Sequence, residues 1–275
     1  MLTDKVIFLD IDGTLIDRSL KVPESAVEAI QKAKARGHKL YINTGRSRCQ
    51  VYQAIWDLEF DGFIGGNGIY IEEDGQKLFH RPMSEEMVMK VINHLEAIEG
   101  GFFAENNHTL YANHNYLTSL ASLLDLSVEE ARDWTTRVFP STTFDNTNWQ
   151  VDVNKICVVL TDNIDVDQLW EVIKPDLTMG LWNMTSRKKG FADIFQDGTS
   201  KGKAVEFVMQ HLGKPLEDAY SFGDADNDIE MVATSGVGVA MGNADPRLKA
   251  VADHITDHVT DDGLWKAFKH IGLID

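Results

Sequence analysis

Lys5-Val6-Ile7-Phe8-Leu9-Asp10-Ile11-Asp12-Gly13-Thr14, residues 5–14, is the stretch that decides the fold. Its apolar run through Leu9 is rich in strand formers and stops at two acids and a glycine, so it reads as a buried strand feeding a functional loop. Downstream, Pro23 to Arg36 carries Val27, Ile30 and Ala33 at helical spacing, with proline at an early position and Gly37 placed to end the helix. Lys39 to Asn43 reads as a second strand, Arg48 to Leu58 as a helix, and Gly62 to Ile64 as a third strand. Strand and helix thus alternate as a parallel, doubly wound sheet requires.

Past Asn67-Gly68 the pattern changes: Ile69 to Glu72 and Gln76 to Arg81 flank Asp74-Gly75, a hairpin signal. A second module begins near Pro82. Ser84 can cap a helix carrying Val88, Val91, Ile92, Leu95 and Ile98, and Gly100-Gly101 stops it before strand candidates at Phe102 to Glu105 and Thr109 to Ala112. Ser127 and Glu130 form a capping box for another helix. Ile156 to Leu160, Asp165 to Ile173 and Met179 to Met184 read as strand, helix and strand. From Phe191 the first style returns, with strands at Ala192 to Phe195, Ala219 to Phe222 and Val237 to Val239, and helices at Ser200 to Leu212, after Asp245-Pro246, and at Gly263 to Ile271. No internal repeat is present. The expected architecture is α/β: a Rossmann-like core with a parallel sheet over residues 1–82 and 191–275, interrupted by an inserted α+β domain over residues 83–190.

Bulk properties narrow the function. At 275 residues, 43% hydrophobic and 25% charged, the chain has an ordinary globular composition and is long enough for two domains. A net charge of −17 repels nucleic-acid backbones and anionic lipid. Cys49 and Cys157 stand far apart, without metal-ligand spacing, and are expected to be reduced and buried. Acids interrupt the first apolar stretch and no run approaches the ~18 apolar residues of a membrane span, so a cytoplasmic protein, monomeric or weakly dimeric, is expected.

Each acidic cluster directly follows a strand, where open α/β sheets bind their ligands. If Asp10 and Asp12 meet Asp224 and Asp228 from another strand, the crowded carboxylates need a cation to stay ionised together, and oxygen-only ligands suit Mg²⁺. Taken one at a time, Asp-x-Asp-Gly-Thr is also a good turn and the second cluster a good helix cap.

With DIDGT (Asp10 to Thr14) after one strand, Thr44 in NTGR after the next, Lys201 in TSKGKAV, and Gly223-Asp224 through Asn227-Asp228, the chain resembles the haloacid dehalogenase superfamily across its four motifs in order. The insertion makes it similar to the Cof-type hydrolases, whose α+β insertion is a cap over the active site. The resemblance implies a phosphatase acting on a small phosphomonoester, such as a sugar phosphate, a nucleotide or a phosphorylated cofactor. Under it Asp10 is the nucleophile that becomes an aspartyl-phosphate, Asp12 the general acid and base, and Lys201 the charge partner. It further implies Mg²⁺ held by Asp10, the Asp12 main-chain carbonyl and Asp224, with Asp228 close by. Thr44, Gly45 and Asn227 can donate hydrogen bonds to phosphate oxygens. A phosphomannomutase-like phosphosugar mutase and a non-catalytic phosphate sensor are the alternatives.

Weaker signals have bland readings beside them. Arg46 is a substrate candidate or a local ion pair, and Asn67 a ligand or a turn former. Arg187-Lys188-Lys189 reads as a solvated hinge face. His254 and His258 have i, i+4 spacing but no supporting metal motif, and Trp182, Phe102 and Phe103 read as core.

Overall fold

The decapeptide forms the central strand, β1 (Val6–Leu9), with every side chain buried. Ile7 and Leu9 join one apolar cluster and Val6 and Phe8 another. A strand with apolar side chains on alternate faces must be covered on both, each buried side chain contributing about 1.5–3 kcal/mol. The computed structural model describes residues 4–17, 19–144, 151–186 and 189–275. After β1 come α1 (Glu24–Ala35), β2 (Lys39–Asn43), α2 (Gln53–Trp56), β3 (Gly62–Gly65), β4 (Tyr70–Glu73) and β5 (Gln76–His80). Next are α3 (Glu85–Ala97), β6 (Gly101–Glu105), β7 (Leu110–Ala112), α4 (Tyr116–Leu124) and α5 (Val128–Val138). They lead to β8 (Thr142–Thr143), β9 (Lys155–Leu160), α6 (Val166–Ile173), β10 (Leu177–Ser186) and β11 (Lys189–Gln196). The remaining elements are α7 (Lys201–His211), β12 (Ala219–Gly223), α8 (Ile229–Thr234), β13 (Val237–Ala240), α9 (Pro246–Lys249), β14 (His254–Ile255) and α10 (Gly263–His270).

The chain divides into two compact units. The first, Met1–Arg46, Val51–His80 and Thr199–Asp275, is built on a sheet of order β14-β13-β12-β1-β2-β3-β4-β5. Six of its strands are parallel, with Leu9 level with Ile42 on one side and Phe222 on the other. β4 and β5 extend it antiparallel through a two-residue turn, Asp74 (φ +48°) and Gly75 (φ +72°), whose paired positive φ angles match strand twist. The second unit, Ser47–Gln50 and Arg81–Gly198, has a sheet of order β10-β11-β9-β6-β7-β8. The capping signals at Ser84, Ser127-Glu130 and Asp245-Pro246 all operate.

Three local expectations are corrected. Ala192 to Phe195 does not begin the return to the first sheet: as part of β11 it pairs antiparallel with β9 and β10, and Ala192 and Ile194 pack into the second unit's core. The stretch from Arg48 to Leu58 is not one helix but a 3₁₀ turn at Arg48–Gln50 followed by α2. Gln50 Oε1 accepts from Ser47 N at 2.8 Å, a side-chain bond that competes with helix continuation. Cys49 is half-buried rather than buried, its thiol donating to the Asn106 carbonyl at 3.1 Å. Cys157 is buried, and both cysteines are free. Among the described residues, no helix is long and apolar enough to cross a membrane.

Candidate active site

Asp10, Thr44 and Asp224 each stand immediately past the carboxyl end of β1, β2 and β12, three adjacent strands in register. Sheet order alone therefore brings them to one edge of the first unit. Asp10 N continues the ladder to Phe222 O at 3.1 Å, after which the chain folds back tightly, with Gly13 N on Ile16 O at 2.7 Å and Ile11, Leu15 and Ile16 buried beneath. This return requires Gly13 (φ +86°), where a Cβ would also overlap the Asp224 carboxylate. Gly13→Ala is accordingly expected to destabilise the fold by about 2 kcal/mol or more, from left-handed strain alone about 1–2, and to displace Asp224. Thermal unfolding and divalent-ion titration of the variant check this.

Lys201 is the hub. Ser200 Oγ accepts from Lys203 N and caps α7, which sets Lys201 as the helix's first residue. Its Nζ lies 2.6 Å from Asp10 Oδ1 and 2.6 Å from Asp228 Oδ1, with only 1% of the side chain exposed. Asp228 Oδ2 accepts from the backbone N of Asp224 and of Ala225, both at 3.0 Å. Asn243 Nδ2 donates to Asp224 Oδ2 at 3.1 Å, while Asp224 Oδ1 is buried with no hydrogen bond among the described residues. One oxygen of each of Asp10, Asp224 and Asp228 lies within 4.8 Å of the others.

Electrostatics follow from that crowding. Burial is the main effect raising Asp10 well above the carboxylate range; Lys201 opposes it, and Asp228, Asp224 and Asp12 add to it. Asp224 is pushed up to about 7, first by burial and then by Asp228. Burial disfavours the Lys201 ammonium, but Asp10 and Asp228 outweigh that and hold its pKa above the usual lysine range. Three carboxylates facing one buried ammonium carry a surplus of negative charge that either protons or a cation must relieve. An all-oxygen donor set with an orphaned buried carboxylate oxygen fits a hard divalent ion such as Mg²⁺.

A second group gathers beside the first. Thr44 is buried, its Oγ1 accepting from Arg46 N at 3.2 Å and its carbonyl from Asn67 N at 3.0 Å. Asn227 Nδ2 donates to Asn67 Oδ1 at 2.9 Å, and a Cβ on Gly45 would come within 3.2–3.3 Å of both amides. All the residues marked out in the sequence as catalytic, phosphate-binding or metal-binding thus lie in these two groups or touch them. Arg46 forks Asp12, Nε to Oδ2 at 2.6 Å and a terminal nitrogen to Oδ1 at 2.8 Å, and stacks 4.9 Å over the Tyr52 ring. The Asp12 side chain remains 51% exposed.

The sequence reading missed Asn243 and Asn43. Asn43 Nδ2 donates to Lys201 O at 3.0 Å. The findable signal for Asn243 was its place just past β13, a neighbour of β12, at the same sheet edge. Outside the site, His254 stacks on His270 with ring centroids 4.2 Å apart, and His258 Nδ1 accepts from Thr260 N. Phe102 and Phe103 are buried in the second unit, and Trp182 stacks on Phe191 there. Lys189 pairs with Asp162 at 3.3 Å, while Arg187 and Lys188 lie outside the described residues.

Comparison with known proteins points the same way as the geometry. The sequence profile of the haloacid dehalogenase-like hydrolases matches residues 7–268. The Bacillus subtilis protein YkrA is 29% identical over 98% of both chains. The Escherichia coli pyridoxal phosphate phosphatase YbhA is 28% identical over 98% of this chain and 100% of its own. A solved sugar phosphatase of haloacid dehalogenase subclass IIB superimposes with a TM-score of 0.75 at 28% identity, covering 98% of this chain and 100% of that one.

Proposed function

We propose that this chain, which belongs to the haloacid dehalogenase-like hydrolases, is a Mg²⁺-dependent phosphatase that hydrolyses a small phosphomonoester through an aspartyl-phosphate on Asp10. Carrying the proposal is the cluster of buried Asp10, Asp228 and Lys201 with half-buried Asp224. YbhA is named for pyridoxal phosphate and the solved subclass IIB neighbour for sugar phosphates, which supports a small phosphorylated metabolite as substrate. The second unit, residues 81–198 with 47–50, is read as the α+β cap that selects among such molecules.

Asp10 attacks phosphorus and the ester P–O bond breaks. Lys201 holds the nucleophile in place and balances its charge, a role its 2.6 Å contact supports. Thr44 Oγ1, the Gly45 amide and the Asn227 amide donate to the phosphoryl oxygens, with Asn67 orienting Asn227. Bound at Asp10, the Asp12 main-chain carbonyl and Asp224, with Asp228 alongside, Mg²⁺ would supply positive charge against the transferring group. Asp12 gives a proton to the departing alkoxide, then takes one from the water that attacks the acyl-phosphate, which frees phosphate and restores Asp10. Arg46 forks the ionised Asp12, the form that takes the proton from water, and must release one oxygen for Asp12 to carry the proton it gives to the alkoxide.

The test is phosphate release from p-nitrophenyl phosphate with Mg²⁺ and with excess chelator. Turnover that chelator stops is expected; none at all, across a panel of phosphorylated metabolites as well, would sink the proposal. Asp12→Asn should slow steady-state turnover about 10²–10⁴-fold. Because nitrophenolate leaves without needing a proton, the variant should still give a stoichiometric burst, visible by rapid mixing, before the slow phase.

A pH dependence follows from Asp224. Its folded pKa, about 7, lies above its ordinary 3.8, so the stability this group contributes is present below pH 3.8 and is lost as pH rises through 7. Metal replaces the proton on the high-pH side. Saturating Mg²⁺ should therefore raise the unfolding midpoint by about 5 °C at pH 8 and by almost nothing at pH 5, as read by paired thermal scans.

A further inference from the structure

Asn243 has no part in the chemistry above, yet it touches two of the loops that carry it. Its Nδ2 donates to the Gly13 carbonyl at 2.8 Å and to Asp224 Oδ2 at 3.1 Å, and its Oδ1 accepts from Val259 N at 3.1 Å. One amide thus ties the turn after β1 to the loop after β12 while its other end is anchored beyond β14. The loop bearing it is itself held on several sides. Met241 N bonds Gly223 O at 3.0 Å, Gly242 N bonds Asp257 O at 2.9 Å, and Asp245 N bonds Asp224 O at 2.8 Å. The loop cannot move Asn243 away from the site without breaking these.

The consequence falls on Asp224. A free carboxylate can rotate to present either oxygen, but here Oδ2 is taken by the amide and Oδ1 is left buried without a hydrogen bond among the described residues. A buried charged oxygen with no donor is costly unless a ligand meets it. The residue type also matters. A lysine in this place would bring a competing positive charge and an aspartate a fourth carboxylate, whereas an amide donates to Oδ2 and leaves the charge of the set unchanged.

We propose that Asn243 is a positioning residue that fixes Asp224 so that Oδ1 faces the divalent ion, an inference that rests on the metal reading of this site. Supporting groups of this kind typically govern metal affinity by about 10–100-fold. The experiment is calorimetric titration of Mg²⁺ into the full chain as wild type, Asn243→Ala and Asp224→Asn, with thermal scans of each in chelator and in saturating Mg²⁺ and a Mg²⁺ dependence of kcat. Asn243→Ala should bind Mg²⁺ about 10–100-fold more weakly, with most of kcat returning at saturating Mg²⁺ and with a larger fall in midpoint in Mg²⁺ than in chelator. A folded variant whose Mg²⁺ affinity lies within twofold of wild type would overturn the assignment. So would a kcat deficit that excess Mg²⁺ does not relieve, accompanied by an equal fall in midpoint with and without metal, since that is the signature of a merely structural contact. If Asn243→Ala does not fold, Asn243→Ser takes its place with the same expectation, and misfolding of both makes the residue structural and ends the proposal. Wild type that binds no Mg²⁺ would instead remove the metal reading itself, a result separable from any of these.

Discussion

Asp10→Asn is expected to abolish phosphate release, with kcat lower by about 10⁴-fold or more, and to leave the metal-free fold at least as stable as before. The two halves have one cause. An amide of the same shape cannot attack phosphorus, yet it still offers an oxygen to Lys201, which keeps its partner Asp228. Because burial and the neighbouring acids already disfavour a charge on Asp10, removing that charge relieves the site. Rapid-mixing phosphate assays and thermal scans measure both. A variant retaining more than a few per cent of wild-type kcat would require a different nucleophile.

Lys201→Met acts in the opposite sense on stability. The apolar replacement is of similar length and sits where the lysine is 1% exposed, but it leaves Asp10 and Asp228 facing each other with no cation. Deleting one partner of a buried ion pair costs about 3–5 kcal/mol, on the order of 10 °C in unfolding midpoint for a protein of this size. The pH dependence carries the sign. Asp10 and Asp224 have raised pKa values, so acid neutralises them, and the deficit relative to wild type should be large at pH 8 and smaller at pH 5. Activity should fall by about 10³-fold. A midpoint deficit equal at both pH values would show that the lysine does not compensate these carboxylates.

How much of this was legible varies with range along the chain. The strand at Val6 to Leu9, the loops at Asp10 and Asp224, the Asp74-Gly75 turn and the capping box at Ser127 are local signals, and each is where the sequence put it. The parallel order of the first sheet then follows from strand and helix alternation. Harder cases depend on partners far away. β11 carries the same apolar alternation as a strand of the first sheet, and only its six-residue pairing with β9 decides which sheet takes it. The Arg46 fork on Asp12 spans 34 residues and was left open between substrate contact and ion pair, because nothing in NTGR encodes which acid lies opposite. Asn243 gave no sign beyond its position past a strand, since an asparagine after glycine is ordinary turn chemistry until its partners are known.

The placement of β12 has an outcome for biosynthesis. Asp10 and Thr44 are made early, but Lys201, Asp224 and Asn243 are translated only after the whole second unit, and β1 has no neighbour on that side until β12 arrives. A ribosome-tethered chain halted before residue 199 consequently holds half a constellation and no ammonium to steady it. The cluster of Asp10, Asp224 and Asp228 around Lys201 therefore closes only once α7 and β12 have docked on β1, which makes its assembly depend on chain that follows the second unit.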